Sequence, residues 1–160
     1  MGRAHLFGDN ITTDDIIAGK YKHSIDDVDQ LANHVMENIR PGFRALLSPG
    51  DFIVAGRNFG CGSSREQAPQ ILKHCGVQAV LARSVARIFY RNAINIGLRI
   101  VLLDTSSVQD GDEIELSEDT ERLLVPSRDI DVPTERLEGT IKGIVEAGGL
   151  LAFVKNGGVL

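Results

Sequence analysis

The sequence predicts an α/β fold in which parallel and antiparallel strands share a sheet. Between residues 51 and 103, short apolar strand candidates alternate with helix candidates, the order typical of a parallel βαβ core. After residue 104 this order stops, and two short segments with alternating apolar and polar residues flank turn residues, as antiparallel strands do. A chain of 160 residues is long enough for a hydrophobic core, and we expect one domain over residues 1–160.

The strand candidates are short and rich in apolar residues: 3–7, 51–55, 78–82, 99–103, 113–116 and 122–125. Helix candidates show apolar residues at helical spacing or carry start and stop signals: 28–39, with Ile39 on its apolar face; 66–75, with Pro69 in its first turn; 84–95, capped by Ser84 and closed by Gly97; and 141–154, interrupted by Gly148 and Gly149.

Charge and hydropathy exclude several classes of partner. The formal net charge of −5 argues against nonspecific binding of nucleic acid. No apolar run approaches the roughly 18 residues of a membrane span, and no apolar signal core follows the N-terminus. We therefore expect a cytoplasmic protein with neither a nucleic-acid nor a membrane partner.

Metal-ligand residues are sparse. The two cysteines, Cys61 and Cys75, are too few to hold an iron–sulfur cluster, although one disulfide is arithmetically possible. The four histidines are scattered and lack zinc-ligand spacing. The sequence therefore predicts no metal site on this chain.

The stretch GRNFGCGSSREQAP, residues 57–70, follows a strand candidate and enters a helix candidate. Such a loop presents free backbone N–H groups and the positive end of a helix dipole, which together favour an anion. Ser63 and Ser64 add hydroxyl groups, and Arg65 adds a guanidinium that can hold a carboxylate with two hydrogen bonds. The stretch therefore favours a carboxylate or phosphate site.

Known phosphate and nucleophile motifs do not fit the stretch. Arg65 stands where a dinucleotide fingerprint needs its third glycine, and neither a P-loop lysine nor a Gly-x-Ser-x-Gly elbow is present. In the alternative interpretation the stretch binds no ligand. It is then a glycine-rich turn in which Ser63 or Ser64 only caps the next helix.

Three segments resemble the small subunit of the isopropylmalate dehydratase and homoaconitase family: GDNITTDDIIAGKY (8–21), NFGCGSSREQAP (58–69) and ARSVARIFYRNAINIGL (82–98). The resemblance runs from about residue 3 to about residue 153. It implies a three-layer β/β/α swivelling domain, a detached form of the swivelling domain of aconitase. It also implies a partner, a large subunit that carries the [4Fe–4S] cluster, so that this chain binds no cofactor itself.

The resemblance further implies reversible removal of water from a small hydroxy di- or tricarboxylic acid. Ser63 is then the base, acting as an alkoxide, and Ser64 and Arg65 bind a substrate carboxylate. The residues after Tyr21, namely Lys22, His23 and Ser24, correspond to a loop that reads the variable substituent of the substrate. They match neither the apolar pattern of isopropylmalate enzymes nor the arginine of homoaconitases.

Other polar residues in these segments have two interpretations each. Asp14 and Asp15 form a carboxylate pair that can do acid–base work, or they form turns, cap a helix and hold the Ser63 loop. Cys61, beside Ser63, is a metal ligand or nucleophile, or a small side chain that packs the turn.

We expect the small subunit of a hydro-lyase of the isopropylmalate dehydratase type, acting in leucine or other branched-chain amino-acid biosynthesis. Homoaconitase and 2,3-dialkylmalate dehydratase activities are the alternatives within the same reaction class. A non-catalytic carboxylate-binding module is the alternative from another class.

Overall fold

The computed structural model describes residues 1–21, 23–117 and 121–160. The strands of this part of the chain are β1 (Gly2–Leu6), β2 (Phe52–Val54), β3 (Ala79–Ala82), β4 (Arg99–Leu102), β5 (Glu113–Ser117), β6 (Arg122–Val125) and β7 (Ile130–Pro133). They form a sheet in the order β4-β3-β2-β1-β5-β6-β7. β1 to β4 are parallel, whereas β5 pairs antiparallel with β1 and β6, and β6 with β7. The predicted mixture of parallel and antiparallel strands is confirmed.

The helices of the described residues are α1 (Thr13–Ile16), α2 (Val28–Ala32), α3 (Phe43–Leu46), α4 (Gln67–His74), α5 (Arg87–Asn95), α6 (Gly139–Glu146) and α7 (Leu150–Lys155). The connections from β1 to β4 each step to the next strand in the same direction. Right-handed crossovers in one direction place their helices on one face of the sheet. None of these helices combines the length and apolar character needed to cross a bilayer.

Two hydrophobic clusters lie on opposite faces of the parallel strands. Ile53 and Val80 belong to the cluster that includes the helices, whereas their strand neighbours Phe52 and Leu81 belong to the other cluster. That second cluster is completed by residues of the antiparallel strands, such as Ile114 of β5. The antiparallel strands thus curl over one face while the helices cover the other, which is the expected three-layer β/β/α arrangement.

The helix predicted over 28–39 is much shorter in the structure. α2 ends at Ala32, and a series of turns follows. Met36 has a φ of 56°, which no α-helix accommodates, and its N–H donates to the carbonyl of Ile16 across the fold at 2.9 Å. Ile39, placed on the apolar face by periodicity, is 40% exposed. A tertiary hydrogen bond therefore overrides the helical pattern here.

Two other helix boundaries differ from the prediction. α5 begins after Ala86, and Ser84 does not cap it, because the Ser84 hydroxyl accepts a hydrogen bond from the backbone N–H of Asn58 at 2.8 Å. The single helix predicted over 141–154 is two helices, α6 and α7. They are separated by Gly148 and Gly149, whose φ angles of 86° and 133° break the helix.

A buried hydrogen bond between His5 and Asp51 fixes the start of β2. His5 and Asp51 are 3% and 7% exposed, and the His5 Nε2 and Asp51 Oδ2 atoms lie 2.8 Å apart. Asp51 also accepts from the backbone N–H groups of Arg3 at 3.0 Å and Ser48 at 2.9 Å. Burial raises the pKa of Asp51, but these hydrogen bonds outweigh burial and hold the pKa below its ordinary value.

Candidate active site

The predicted site residues after β2 lie in an open cleft of about 670 Å³ at the edge of the sheet where the parallel strands end. The loops after β1 and β2 meet there, as expected where parallel strands carry a site at their carboxyl ends. Its lining consists of Gly19, His23, Ser63, Ser64, Arg65, Glu66, Gln67 and Gln70. The structure therefore brings the loop of Ser63, Ser64 and Arg65 together with His23 from a distant part of the chain.

Backbone hydrogen bonds tie the loop after β2 to the segment after β1. The N–H of Asn10 donates to the carbonyl of Arg57 at 2.8 Å, and the N–H of Gly60 donates to Ile11 at 2.7 Å. The N–H of Thr13 then donates to Cys61 at 2.9 Å. The polar segment GDNITTDD thus positions the loop that carries Ser63.

Gly60 is required by close packing beneath the loop. Its φ is 76°, and a Cβ at this position would lie 2.2 Å from Cγ of Phe89. Phe89 is buried and meets Phe59 edge to face, with the ring centroids 5.2 Å apart. The loop therefore rests directly on the first turn of α5, with no room for a side chain at residue 60.

Ser63 is exposed, and its Oγ lies 3.2 Å from Oγ1 of Thr13, a buried side chain of α1. Among the described residues, no histidine or carboxylate is hydrogen-bonded to this Oγ. The arrangement is therefore not that of a serine activated by a neighbouring histidine. Deprotonation of Ser63 would depend instead on groups that stabilise its anion.

Arg65 is held by the segment after β1. Its Nη1 forms an ion pair with Asp14 and a hydrogen bond to the carbonyl of Ile17 at 3.3 Å. Asp14 accepts a second hydrogen bond from the N–H of Gly19 at 2.9 Å. The hydrogen bond from Arg65 is the largest of the effects that lower the pKa of Asp14, so the carboxylate stays charged beside the guanidinium. These contacts use one end of the guanidinium and leave Arg65 lining the cleft.

Asp15 has a different, structural role. Its carboxylate accepts from the N–H of Thr12 at 2.8 Å, and the Thr12 hydroxyl accepts from the N–H of Asp15 at 3.0 Å. This reciprocal capping box starts α1. Of the two interpretations given to the acidic pair, the structure thus shows capping for Asp15 and a contact with the Ser63 loop for Asp14.

The beginning of α4 contributes the positive end of a helix dipole to the cleft. α4 starts at Gln67 after Glu66, and no side chain caps it. The interpretation in which Ser63 or Ser64 only caps this helix is therefore wrong. The free N–H groups favour an anion in the cleft, whereas the carboxylate of Glu66, which also lines it, opposes one.

The predicted substituent-reading loop is only partly described. Lys22 lies outside the described residues, and His23 lines the cleft. The Ser24 hydroxyl donates to the carbonyl of Lys20 at 3.1 Å, and Ser24 is not among the described lining residues. Of the two described residues, the structure places His23 at the site.

A polar cluster that no sequence pattern predicts adjoins this loop. The Tyr21 hydroxyl donates to Glu37, and its ring stacks on His34 with centroids 4.0 Å apart. Nδ1 of His34 lies 2.8 Å from the other oxygen of Glu37. The hydrogen bond to Glu37 raises the pKa of Tyr21 and lowers that of Glu37. No sequence motif identifies His34 or Glu37 as site residues. Both lie in the segment 28–39, which the apolar spacing predicts to be a continuous helix.

The cysteines do not fit a metal cluster. Cys75 is buried at the end of α4, and burial raises the pKa of its thiol. Cys61 is partly exposed, and its Sγ donates to the carbonyl of Ile11 at 3.8 Å. Both are free thiols, and no group of three or more potential metal ligands occurs within residues 1–21, 23–117 and 121–160. The described residues therefore offer no ligand set for an iron–sulfur cluster.

Comparison with known proteins gives consistent matches. The aconitase C-terminal domain model matches residues 9–104. The chain is 50% identical over 157 residues to the 3-isopropylmalate dehydratase small subunit 1 of Archaeoglobus fulgidus, covering 98% of this chain and 97% of that protein. It is 46% identical over 154 residues to the methanogen homoaconitase small subunit of Methanocaldococcus jannaschii, covering 96% and 90%.

A solved structure supports the same assignment. The crystal structure of a 3-isopropylmalate dehydratase from Methanocaldococcus jannaschii matches with a TM-score of 0.93 and 46% identity, over 97% of this chain and 92% of that chain. The fold, the loop geometry and these matches agree. The chain therefore belongs to the aconitase C-terminal domain family, in the group of 3-isopropylmalate dehydratase and homoaconitase small subunits.

Proposed function

We propose that this chain is the small subunit of a cytoplasmic hydro-lyase that acts on a 2-hydroxy di- or tricarboxylic acid, with 3-isopropylmalate as the leading substrate. The observation that carries the proposal is the cleft in which Ser63 meets the hydroxyl of Thr13 while Arg65 is held in place by Asp14. A reactive hydroxyl beside a fixed guanidinium suits a substrate that loses a proton next to a carboxylate.

In the proposed reaction, the Ser63 alkoxide takes the proton from the carbon beside a substrate carboxylate. The C–H electron pair forms the double bond, and the hydroxyl group leaves from the neighbouring carbon with its own electron pair. The Thr13 hydroxyl, 3.2 Å from Ser63, donates to the alkoxide and stabilises it. Arg65 and the hydroxyl of Ser64 bind the carboxylate, and the free N–H groups of α4 favour the same negative charge.

The leaving hydroxyl needs a Lewis acid, which the family resemblance assigns to a [4Fe–4S] cluster on a large subunit. This chain has no ligand set for that cluster among its described residues. Its cleft is also open, with Ser63 and Ser64 exposed. Water in an open cleft would hydrogen-bond to the alkoxide, protonate it and weaken it as a base, so a partner that covers the cleft is part of the proposal.

The relatives and the cleft lining bear on which hydroxy acid is the substrate. Relatives with similar identity are named for isopropylmalate and for homoaconitase. The described lining includes His23, Gln67 and Gln70, which are polar, and no large apolar side chain. This lining supports a tricarboxylic, homoaconitase-type substrate as the second candidate. Isopropylmalate leads because the relative that is 50% identical over 157 residues is named for it, and 2,3-dialkylmalates are third.

The test is reconstitution. The chain is combined anaerobically with the cluster-bearing large subunit of its own organism, and hydration and dehydration are measured with 3-isopropylmalate, 2,3-dialkylmalates and homocitrate. Turnover of at least one acid, absent when either subunit is omitted, is expected. A folded, stoichiometric complex with an intact cluster and no turnover of any acid would instead favour a non-catalytic carboxylate-binding module.

A further inference from the structure

An aromatic side chain, Tyr21, connects the loop that carries His23 to the rest of the fold. Tyr21 ends a 3₁₀ turn, Gly19–Tyr21, and its side chain contacts the turns after α2. There its ring lies almost parallel to that of His34, at 20°, and its hydroxyl donates to Glu37. The same carboxylate is hydrogen-bonded to His34. Tyr21, His34 and Glu37, which we term the loop anchor, form a closed set of contacts.

The backbone after Tyr21 depends on this position. The carbonyl of Tyr21 accepts from the N–H groups of Ser24 at 3.3 Å and Ile25 at 3.0 Å, which closes the turn containing His23. At the other end of the 3₁₀ turn, Gly19 lies against Arg65, because a Cβ on Gly19 would be 2.6 Å from Nη2. A shift of Tyr21 would therefore be transmitted to two elements of the cleft.

The chemistry of the loop anchor exceeds what packing requires. The side chains of His34 and Glu37 are 30% and 29% exposed, so they are mostly removed from water. An apolar contact would hold the same turn without the cost of removing a carboxylate from water. A hydrogen bond to a carboxylate and ring stacking add direction, which packing of apolar groups lacks. Fixed direction matters where a side chain must meet a substrate.

We propose that Tyr21 is a positioning residue for substrate selection: its stacking on His34 and its hydrogen bond to Glu37 fix the turn that presents His23 to the substrate. This inference rests on the proposed function, because it concerns which hydroxy acid the cleft accepts. It assigns Tyr21 no contact with the reacting atoms.

The first experiment uses the reconstituted two-subunit enzyme with the variant Tyr21→Phe, which keeps the ring and removes the hydroxyl. The chain has only two tyrosines, so Tyr90→Phe is a matched control. We expect Tyr21→Phe to raise KM at least roughly threefold and to change the ratio of kcat/KM between 3-isopropylmalate and homocitrate by a similar factor, with kcat within about twofold. Tyr90→Phe should leave all three unchanged. Equal behaviour of the two variants would overturn the inference.

A second set of variants separates positioning from general destabilisation. Glu37→Gln keeps an oxygen that accepts from Tyr21 and should stay near wild type, whereas Glu37→Leu should reproduce the effect of Tyr21→Phe. Tyr21→Phe and Glu37→Leu each remove the hydrogen bond between these two side chains. An enzyme that carries both substitutions should therefore be no more impaired than either single variant. Additive losses, or a Glu37→Gln enzyme as impaired as Glu37→Leu, would contradict the loop anchor.

A third measurement needs no partner. Hydrogen–deuterium exchange of the isolated chain should be faster at the amides of Ser24 and Ile25 in Tyr21→Phe than in Tyr90→Phe. Unchanged exchange at these amides would overturn the anchoring step. If the wild-type pair of subunits turns over no acid, the proposed function fails, but this measurement still decides whether Tyr21 holds the turn.

Discussion

Gly60 offers a quantitative test of how the Ser63 loop is held. An alanine at this position would adopt a φ of 76° and place its Cβ 2.2 Å from Cγ of Phe89. The left-handed conformation costs roughly 1–2 kcal/mol for a residue with a Cβ. Displacing a packed aromatic ring adds roughly 1–3 kcal/mol. The smaller entropy of unfolded alanine offsets roughly 0.4–1 kcal/mol, which leaves a net loss of about 1–5 kcal/mol for Gly60→Ala.

Gly42→Ala is the matched control, because Gly42 has a φ of 77° but no atom within 4 Å of the added Cβ. The assay is urea denaturation of the isolated chain, followed by far-UV circular dichroism. Gly60→Ala should be less stable than Gly42→Ala by about 1–3 kcal/mol, the share due to Phe89. Equal free energies of unfolding for the two variants would refute the claim that the loop rests on this ring.

Three further predictions concern the site, the buried carboxylate of Asp51 and the cofactor. Arg65→Lys should lower kcat/KM of the reconstituted enzyme at least about tenfold, because lysine cannot make two parallel hydrogen bonds to a carboxylate. Its pairing with Asp14 is near the surface, so the free energy of unfolding should change by less than roughly 1 kcal/mol; a larger change would mean that the variant tests folding instead. Asp51→Asn should destabilise the chain by about 2 kcal/mol at neutral pH. Because the folded-state pKa of Asp51 is below its ordinary value of 3.8, this difference should shrink as pH falls from about 4 towards 2, and a pH-independent difference in urea titrations would contradict the assignment. Finally, the isolated chain purified without oxygen should contain no stoichiometric iron and no brown chromophore, because Cys61 and Cys75 are too few to hold a cluster; iron analysis and absorbance spectra decide this.

Local sequence patterns predict much of the fold around the parallel strands β1 to β4. There, the strand and helix signals of the sequence agree with the tertiary structure. The helix with Pro69 in its first turn and the strand over 79–82 appear within a residue or two of their predicted ends. Patterns fail where a distant partner decides the backbone. Met36 donates its N–H to Ile16 across the fold, and α2 ends early. β7 has only four residues and ends in Pro133, so its pairing with β6, rather than its own pattern, defines it as a strand.

The site is predictable to the extent that its residues are adjacent in sequence. Ser63, Ser64 and Arg65 are marked by the motif they share, and all line the cleft. The contact of Ser63 with Thr13 and the loop anchor on Tyr21 depend on residues far apart in the chain. Such contacts arise from the packing of loops at the sheet edge, which periodicity and spacing do not encode.

In the proposed mechanism, Ser63 removes the proton in the reaction of the two-subunit enzyme. The most direct measurement is kcat and KM of Ser63→Ala, reconstituted with the cluster-bearing subunit and compared with wild type on the same acid. A positioned base contributes roughly 10²–10⁴-fold, so kcat should fall by at least about 10², while KM stays within roughly threefold because the carboxylate contacts remain. If Ser63→Ala keeps more than about a tenth of the wild-type kcat, another group is the base and the proposed mechanism is wrong.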